Sequence, residues 1–169
     1  MSKFVFWWNI TMRYLILFVA VVFLNSCSDD VSGVLVENNK YKNIVIEIID
    51  AYENYDLSIL EKHLSNDVTV QSSTNHFKSK QSVLNSWNDD YYYFSDFDSD
   101  IKKNYTILNS DGSYSFFIIY DWIANGKFSN KRISIPSFSE YIFVNEKISS
   151  IKLFFNNSLY HKEILASYN

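Results

Sequence analysis

Three apolar segments near the C-terminus, 113–124, 132–144 and 148–155, constrain this chain more than any other feature. Each has the length and the β-branched and aromatic content of a strand. Between them lie two short connections, Asn125-Gly126 and Asn145-Glu146-Lys147. Asn-Gly tolerates positive φ and is a strong hairpin signal, so the three segments are predicted to form an antiparallel meander. In the first segment, Tyr114, Phe116, Ile118, Tyr120 and Trp122 share one face, while Ser113, Ser115, Phe117, Ile119, Asp121 and Ile123 share the other. The uniformly large apolar face is expected to line the interior, which sends Asp121 outward. Phe117, Ile119 and Ile123 would then leave more apolar surface than a solvated monomer normally carries. They are therefore expected to form a homodimer face. A β-bulge that moved the register by one residue would exchange the two faces.

The meander needs a partner layer, and the preceding half supplies helices. Tyr41, Ile44, Val45, Ile48, Ile49 and Tyr52 recur at the spacing of one helical stripe over 40–55. Asp56 is a candidate N-cap for a short helix over 57–64, and Ser79 for a third over 80–94 with Val83, Leu84 and Trp87 on its apolar side. A short strand is expected at 67–71 and a long one at 101–108. The run Tyr91-Tyr92-Tyr93-Phe94 could form a stacking platform, but without basic neighbours it reads as a helix end packed into the core. Asp96, Asp98 and Asp100 alternate, yet no Gly or later Glu completes a calcium loop. A solvated acidic loop is expected there and no metal site.

The N-terminus reads as an address. Residues 14–24, YLILFVAVVFL, form an apolar run behind Arg13. Crossing a bilayer takes about 20 apolar residues, so this run fits the apolar region of a signal peptide instead. It ends in Leu24-Asn25-Ser26-Cys27, which resembles a bacterial lipobox, and Cys27 is the sole cysteine. Residues 1–26 are thus expected to be a lipoprotein signal peptide, with Met12 the better start, Cys27 the lipidated residue and 27–39 a polar tether. Ser28-Asp29-Asp30 resembles the export signal of Bacteroidota lipoproteins. The expected location is the outer membrane of a Gram-negative cell envelope, with the membrane as a partner through the lipid.

Composition bounds the remaining 40–169 to one domain. Hydrophobic residues make up 47% and aromatics 18%, with 3 Gly and 1 Pro, so the chain is globular. A net charge of -4 and isolated basic pairs at Lys102-Lys103 and Lys131-Arg132 argue against nucleic acid.

Two helices, a short strand, a third helix and a run of antiparallel strands make an α+β order. Several pieces resemble the SnoaL-like branch of the nuclear-transport-factor-2-like (NTF2-like) superfamily. They are Ala51-Tyr52-Glu53-Asn54-Tyr55-Asp56-Leu57, Leu64-Ser65-Asn66-Asp67-Val68, Tyr120-Asp121-Trp122, and Asn145-Glu146-Lys147-Ile148 followed by Phe154-Phe155-Asn156. The resemblance implies a cone: a curved antiparallel sheet wrapped around a pocket and covered by three helices. It also implies a carboxylate or a His–Asp pair inside the pocket of enzymatic members. Here Asn156 stands where the family often has Asp, Phe138 where some members have His, and Glu146 where the turn often has Gly. An amide accepts a hydrogen bond but cannot act as a general base. The expectation is a non-catalytic module in which Trp87, Tyr120, Trp122, Tyr141 and Asn156 contact a small, largely apolar ligand, with no cofactor. The alternatives are an isomerase- or cyclase-type enzyme using Asp121, Glu140 or His76, and a protein-interaction domain. His63 and His161 are expected to be surface or capping residues.

Overall fold

The computed structural model describes residues 33–37, 39–72 and 75–168. The signal segment, Cys27 and the start of the tether lie outside the described residues. From Gly33 onward the chain is a single α+β unit. Seven strands form one sheet in the order β1 (Gly33–Val36), β4 (Phe94–Asn109), β5 (Tyr114–Gly126), β6 (Arg132–Val144), β7 (Lys147–Phe155), β2 (Leu64–Gln71), β3 (His76–Lys78). Among the described residues four helices accompany it: α1 (Asn39–Glu53), α2 (Ser58–His63), α3 (Lys80–Tyr93) and α4 (Ser158–Ala166). The fold class is as expected, with one amendment. The sheet is mixed, because β2 runs parallel to β7 while every other pairing is antiparallel.

The α1 stripe does what its spacing predicts. Tyr41, Val45, Ile48, Ile49 and Tyr52 are all buried, and Val45, Ile48, Phe116, Ile118, Tyr141, Phe143, Ile148 and Ile151 meet in one core between α1 and the sheet. Each fully buried aliphatic side chain contributes about 1.5–3 kcal/mol relative to exposure. Asp56 accepts a hydrogen bond from the backbone N–H of Ser58 (2.8 Å), but it stands one position before the N-cap, which is Leu57, because α2 begins at Ser58 and not at 57. Ser79 accepts one from Ser82 N–H at the start of α3 (3.4 Å).

The meander is present, but its two turns differ. Asn145 and Glu146 both have positive φ and form a two-residue connection between Val144 and Lys147, as the type I′ geometry of tight hairpins requires. Asn125 and Gly126 do not turn. They finish β5, with Asn125 opposite Arg132, and the chain reverses over 127–131, where Asn130 supplies the positive φ. The pairing of β5 with β6 runs unbroken from Tyr114 to Asn125, so the predicted faces hold. Phe116 and Ile118 are fully buried; Asp121 points outward and lies 3.4 Å from Lys102. Pro136, the one proline, lies where β7 has just ended opposite Ser137, so its missing N–H costs that ladder no hydrogen bond.

Three stretches depart from expectation. Residues 94–100, read as a helix end followed by an acidic loop, belong to the 16-residue strand β4. A register shift between Ser95 and Asp98, with Asp96 at φ 52°, turns both Phe94 and Phe97 inward and leaves Asp96, Asp98 and Asp100 exposed. A second shift lies between Ile101 and Lys103, and such bulges bend the sheet. Within the expected tether, Gly33–Val36 pairs with Thr106–Asn109 as an edge strand. After the last strand the tail forms α4.

Candidate functional site

A second buried cluster, Tyr52, Phe94, Phe97 and Ala124, packs with Trp87, Trp122 and Tyr160. Between the inner face of β5 and β6 and the helices α1, α3 and α4 lies a cavity of about 530 Å³. That volume suits a small organic molecule. Its walls are aromatic and aliphatic, including Tyr52, Trp87, Tyr120, Trp122, Tyr141, Leu153 and Tyr160, and Ser72, Asn75, Ser82, Asn85 and Asn157 add polar groups. Four of the five expected ligand contacts therefore converge: Trp87 from α3, Tyr120 and Trp122 from β5, and Tyr141 from β6. Asn156 does not line this cavity. It is exposed, and its side-chain oxygen accepts a hydrogen bond from Ser158 N–H (3.0 Å), opening α4.

The carboxylate in the cavity is one the sequence reading passed over. Asp90 projects from the last turn of α3 into the cavity, three residues beyond Trp87 and on the same face. Its two oxygens accept hydrogen bonds from Tyr52 Oη (2.9 Å) and Tyr160 Oη (2.5 Å). Desolvation raises its pKa from 3.8 to about 6 against the opposing pull of the Tyr160 and Tyr52 hydroxyls. Burial and the neighbouring carboxylate push both phenols well above their ordinary value, so they remain donors. The rings close around this group: Tyr52 meets Trp87 edge-on at 5.5 Å between centroids, and Trp122 lies 6.3 Å from Tyr160. Deeper in, Tyr120 Oη and Ser139 Oγ share a hydrogen bond (3.2 Å).

The three catalytic candidates from the sequence lie elsewhere. Asp121 is on the outer face with Lys102. Glu140 is on the same outer face, where it accepts hydrogen bonds from Lys152 Nζ (2.8 Å) and Ser115 Oγ (3.1 Å). His76 is exposed on β3 and does not line the cavity. His63 sits at the end of α2, 3.8 Å from Glu47, also away from the cavity. His161, expected to be a surface or capping residue, lies on α4 at the cavity wall. Among the described residues no cluster of His, Cys, Asp or Glu is suited to a metal ion.

No family model matches the sequence, and no curated protein matches it. Solved structures do match the architecture. An NTF2-like protein of unknown function from Burkholderia pseudomallei aligns with a TM-score of 0.63 at 11% identity, over 76% of this chain and 98% of that one. The chain has the NTF2-like fold. A candidate SnoaL-like polyketide cyclase from Shewanella denitrificans aligns with a TM-score of 0.60 at 13% identity, over 77% and 99% of the two chains. An epoxide hydrolase from M. tuberculosis, described as LEH-like, gives 0.59 at 12% identity, over 77% and 92%. Identities this low bear on the NTF2-like fold alone, and the chemistry must be argued from the cavity.

Proposed function

We propose that this NTF2-like domain binds a small, largely apolar molecule in the cavity and is held at the cell envelope by lipid on Cys27. The observation that carries the binding reading is an aromatic-walled space of about 530 Å³ with one half-buried, hydrogen-bonded carboxylate, Asp90. Ligand pockets combine broad apolar walls with few, well-placed polar groups. The test is mass spectrometry of small molecules that co-purify with the protein. A discrete species, lost when Trp122 is replaced by Ala, is expected; no retained molecule from any native extract would overturn the reading.

A second reading, an enzyme of isomerase or cyclase type, is favoured by Asp90 itself. The expectation of a non-catalytic module rested on Asn156 replacing the family's carboxylate, and Asp90 supplies a carboxylate by another route. A carboxyl group with a pKa near 6 is largely ionised at neutral pH yet basic enough to accept a proton from carbon or oxygen. Each of its oxygens accepts one phenol hydrogen bond and keeps a further lone pair for a substrate. This reading predicts that the recovered ligand takes up deuterium from D₂O with the wild-type protein and not with Asp90→Asn. Binding without exchange leaves the module as a carrier or sensor.

The outer face supports a further proposal at the level of assembly. Phe117, Ile119 and Ile123 share it with Tyr105, Phe138 and Phe154, and Tyr105, Phe117 and Phe138 form a stacked row (4.9 and 5.8 Å between centroids). This is the surface proposed to pair two copies of the chain.

A further inference from the structure

The charge of the cavity constrains what can enter it, and the argument rests on the binding reading above. Among the described residues lining the cavity, Asp89 and Asp90 are carboxylates, none is Lys or Arg, and His161 is the one imidazole. Asp90 has two neutral donors, the phenols of Tyr52 and Tyr160, and no ion-pair partner among the described residues. A buried carboxylate ordinarily has a cation beside it, because removing its water without one is costly. A neutral apolar ligand without a donor would deepen the desolvation of Asp90 and add to that cost. An anionic ligand would add repulsion. A neutral donor can hydrogen-bond the carboxylate, but a cation adds charge attraction to the same hydrogen bond and is the strongest partner for it.

The indoles packed beside these two phenols favour a cation as well. Tyr52 and Tyr160 touch Asp90 through their hydroxyls, and Trp87 and Trp122 pack beside them. Aromatic faces attract a cation through their negative quadrupole, Trp most strongly, and the attraction grows when water is excluded. We propose that the ligand is an organic ammonium: a protonated amine whose nitrogen sits at Asp90 among these four rings, with an apolar body extending along Tyr120, Tyr141 and Leu153. The free lone pairs of Asp90 accept the N–H groups, and the aliphatic and aromatic walls take the body.

The test uses the full chain and three probes of one shape, followed by calorimetry at pH 7.5. They are 1-naphthylmethylamine, the neutral alcohol 1-naphthalenemethanol and the anion 1-naphthoate. The ammonium is expected to bind at least about tenfold tighter than the alcohol, with the carboxylate weakest. In Asp90→Asn that preference is expected to vanish while the alcohol still binds. Equal or tighter binding of the alcohol by the wild-type chain would overturn the ammonium assignment and leave the cavity a binding site for neutral molecules. Failure of all three would overturn both, since an apolar cavity of this size should accept a naphthyl group. The comparison among probes on the wild-type chain decides the matter even if Asp90→Asn does not fold.

Discussion

At the residue scale, Asp90 is both the centre of the site and a burden on the fold. Its pKa rises from 3.8 to about 6 chiefly through desolvation, so between these values the folded chain holds a proton that the unfolded chain has released. Stability contributed by this group is therefore full below pH 4 and is lost as pH rises through 6; the rise corresponds to at most about 3 kcal/mol. Asp90→Asn cannot titrate and escapes that loss. Thermal melts at pH 4 and pH 8 should thus show the variant gaining on the wild type by several degrees at the higher pH. A difference between the two proteins that does not change with pH would mean that Asp90 is not desolvated. Part of this site could be read in the sequence: Val83, Trp87 and Asp90 fall at i, i+4 and i+7 of a predicted helix, so the apolar face carries a carboxylate. What could not be read are its partners, since Tyr52 and Tyr160 lie 38 and 70 residues away and meet it only through the fold. Asn156 failed the other way. Its amide makes a local turn with Ser158, a use open to any Asn at the start of a helix.

At the element scale, α4 decides whether the cavity is closed, because Tyr160, His161 and Ile164 all lie on its wall. The helix has only nine residues and is too short to be stable alone. It is held by Glu163, a carboxylate only 2% exposed, which accepts hydrogen bonds from the backbone N–H groups of Phe128 (2.6 Å) and Ser129 (3.2 Å) in the β5–β6 loop. Gly126 makes the approach possible: a Cβ there would lie 2.1 Å from Glu163 Oε2. Glu163→Ala removes the acceptor of two part-buried backbone N–H groups and should cost about 1 kcal/mol, with faster hydrogen exchange across 126–130 and 158–166. Gly126→Ala should do comparable damage by pushing the same carboxylate away. The double variant should be little worse than either single one, whereas additive losses would show that the two positions act separately. Helix α4 escaped the sequence reading because its apolar residues form no clear stripe; its fixing group is an acidic residue that bonds a loop 35 positions earlier. By contrast α1 and the β5–β6–β7 meander were legible, since burial on one face writes a period into the sequence. Gly126 shows the limit of a motif. Asn-Gly signals a turn, but here the glycine serves a close approach and the turn comes after it.

At the scale of the whole molecule, the order of helices and strands indicated an α+β class and the pieces that resemble the NTF2-like superfamily indicated the fold, while the edge strand β1, only four apolar residues long, was hidden within a stretch read as a polar tether. The two faces of the sheet divide the molecule's tasks: the inner face builds core and cavity, and the outer face offers Phe117, Ile119, Phe138 and Phe154 to the surroundings. If lipid on Cys27 anchors the chain, Cys27→Ala should move it from the membrane fraction to the soluble fraction; continued retention would sink that proposal. Anchoring also bears on pairing. Chains confined to a membrane meet at far higher effective concentration than in solution, so a modest sheet-to-sheet contact would be enough to pair them. Ile119 and Phe154 are 38% and 55% exposed, and charged substitutions there should alter folding stability by only about 0.5 kcal/mol. Placed at the centre of an apolar interface, the same charges would be buried without partners. Ile119→Lys with Phe154→Lys should therefore leave the melting temperature nearly unchanged. The dimer dissociation constant, measured by sedimentation, should rise at least about tenfold. A wild-type chain that stays monomeric at high concentration, or a double variant that pairs as well as the wild type, would remove the outer face from consideration as a homodimer surface.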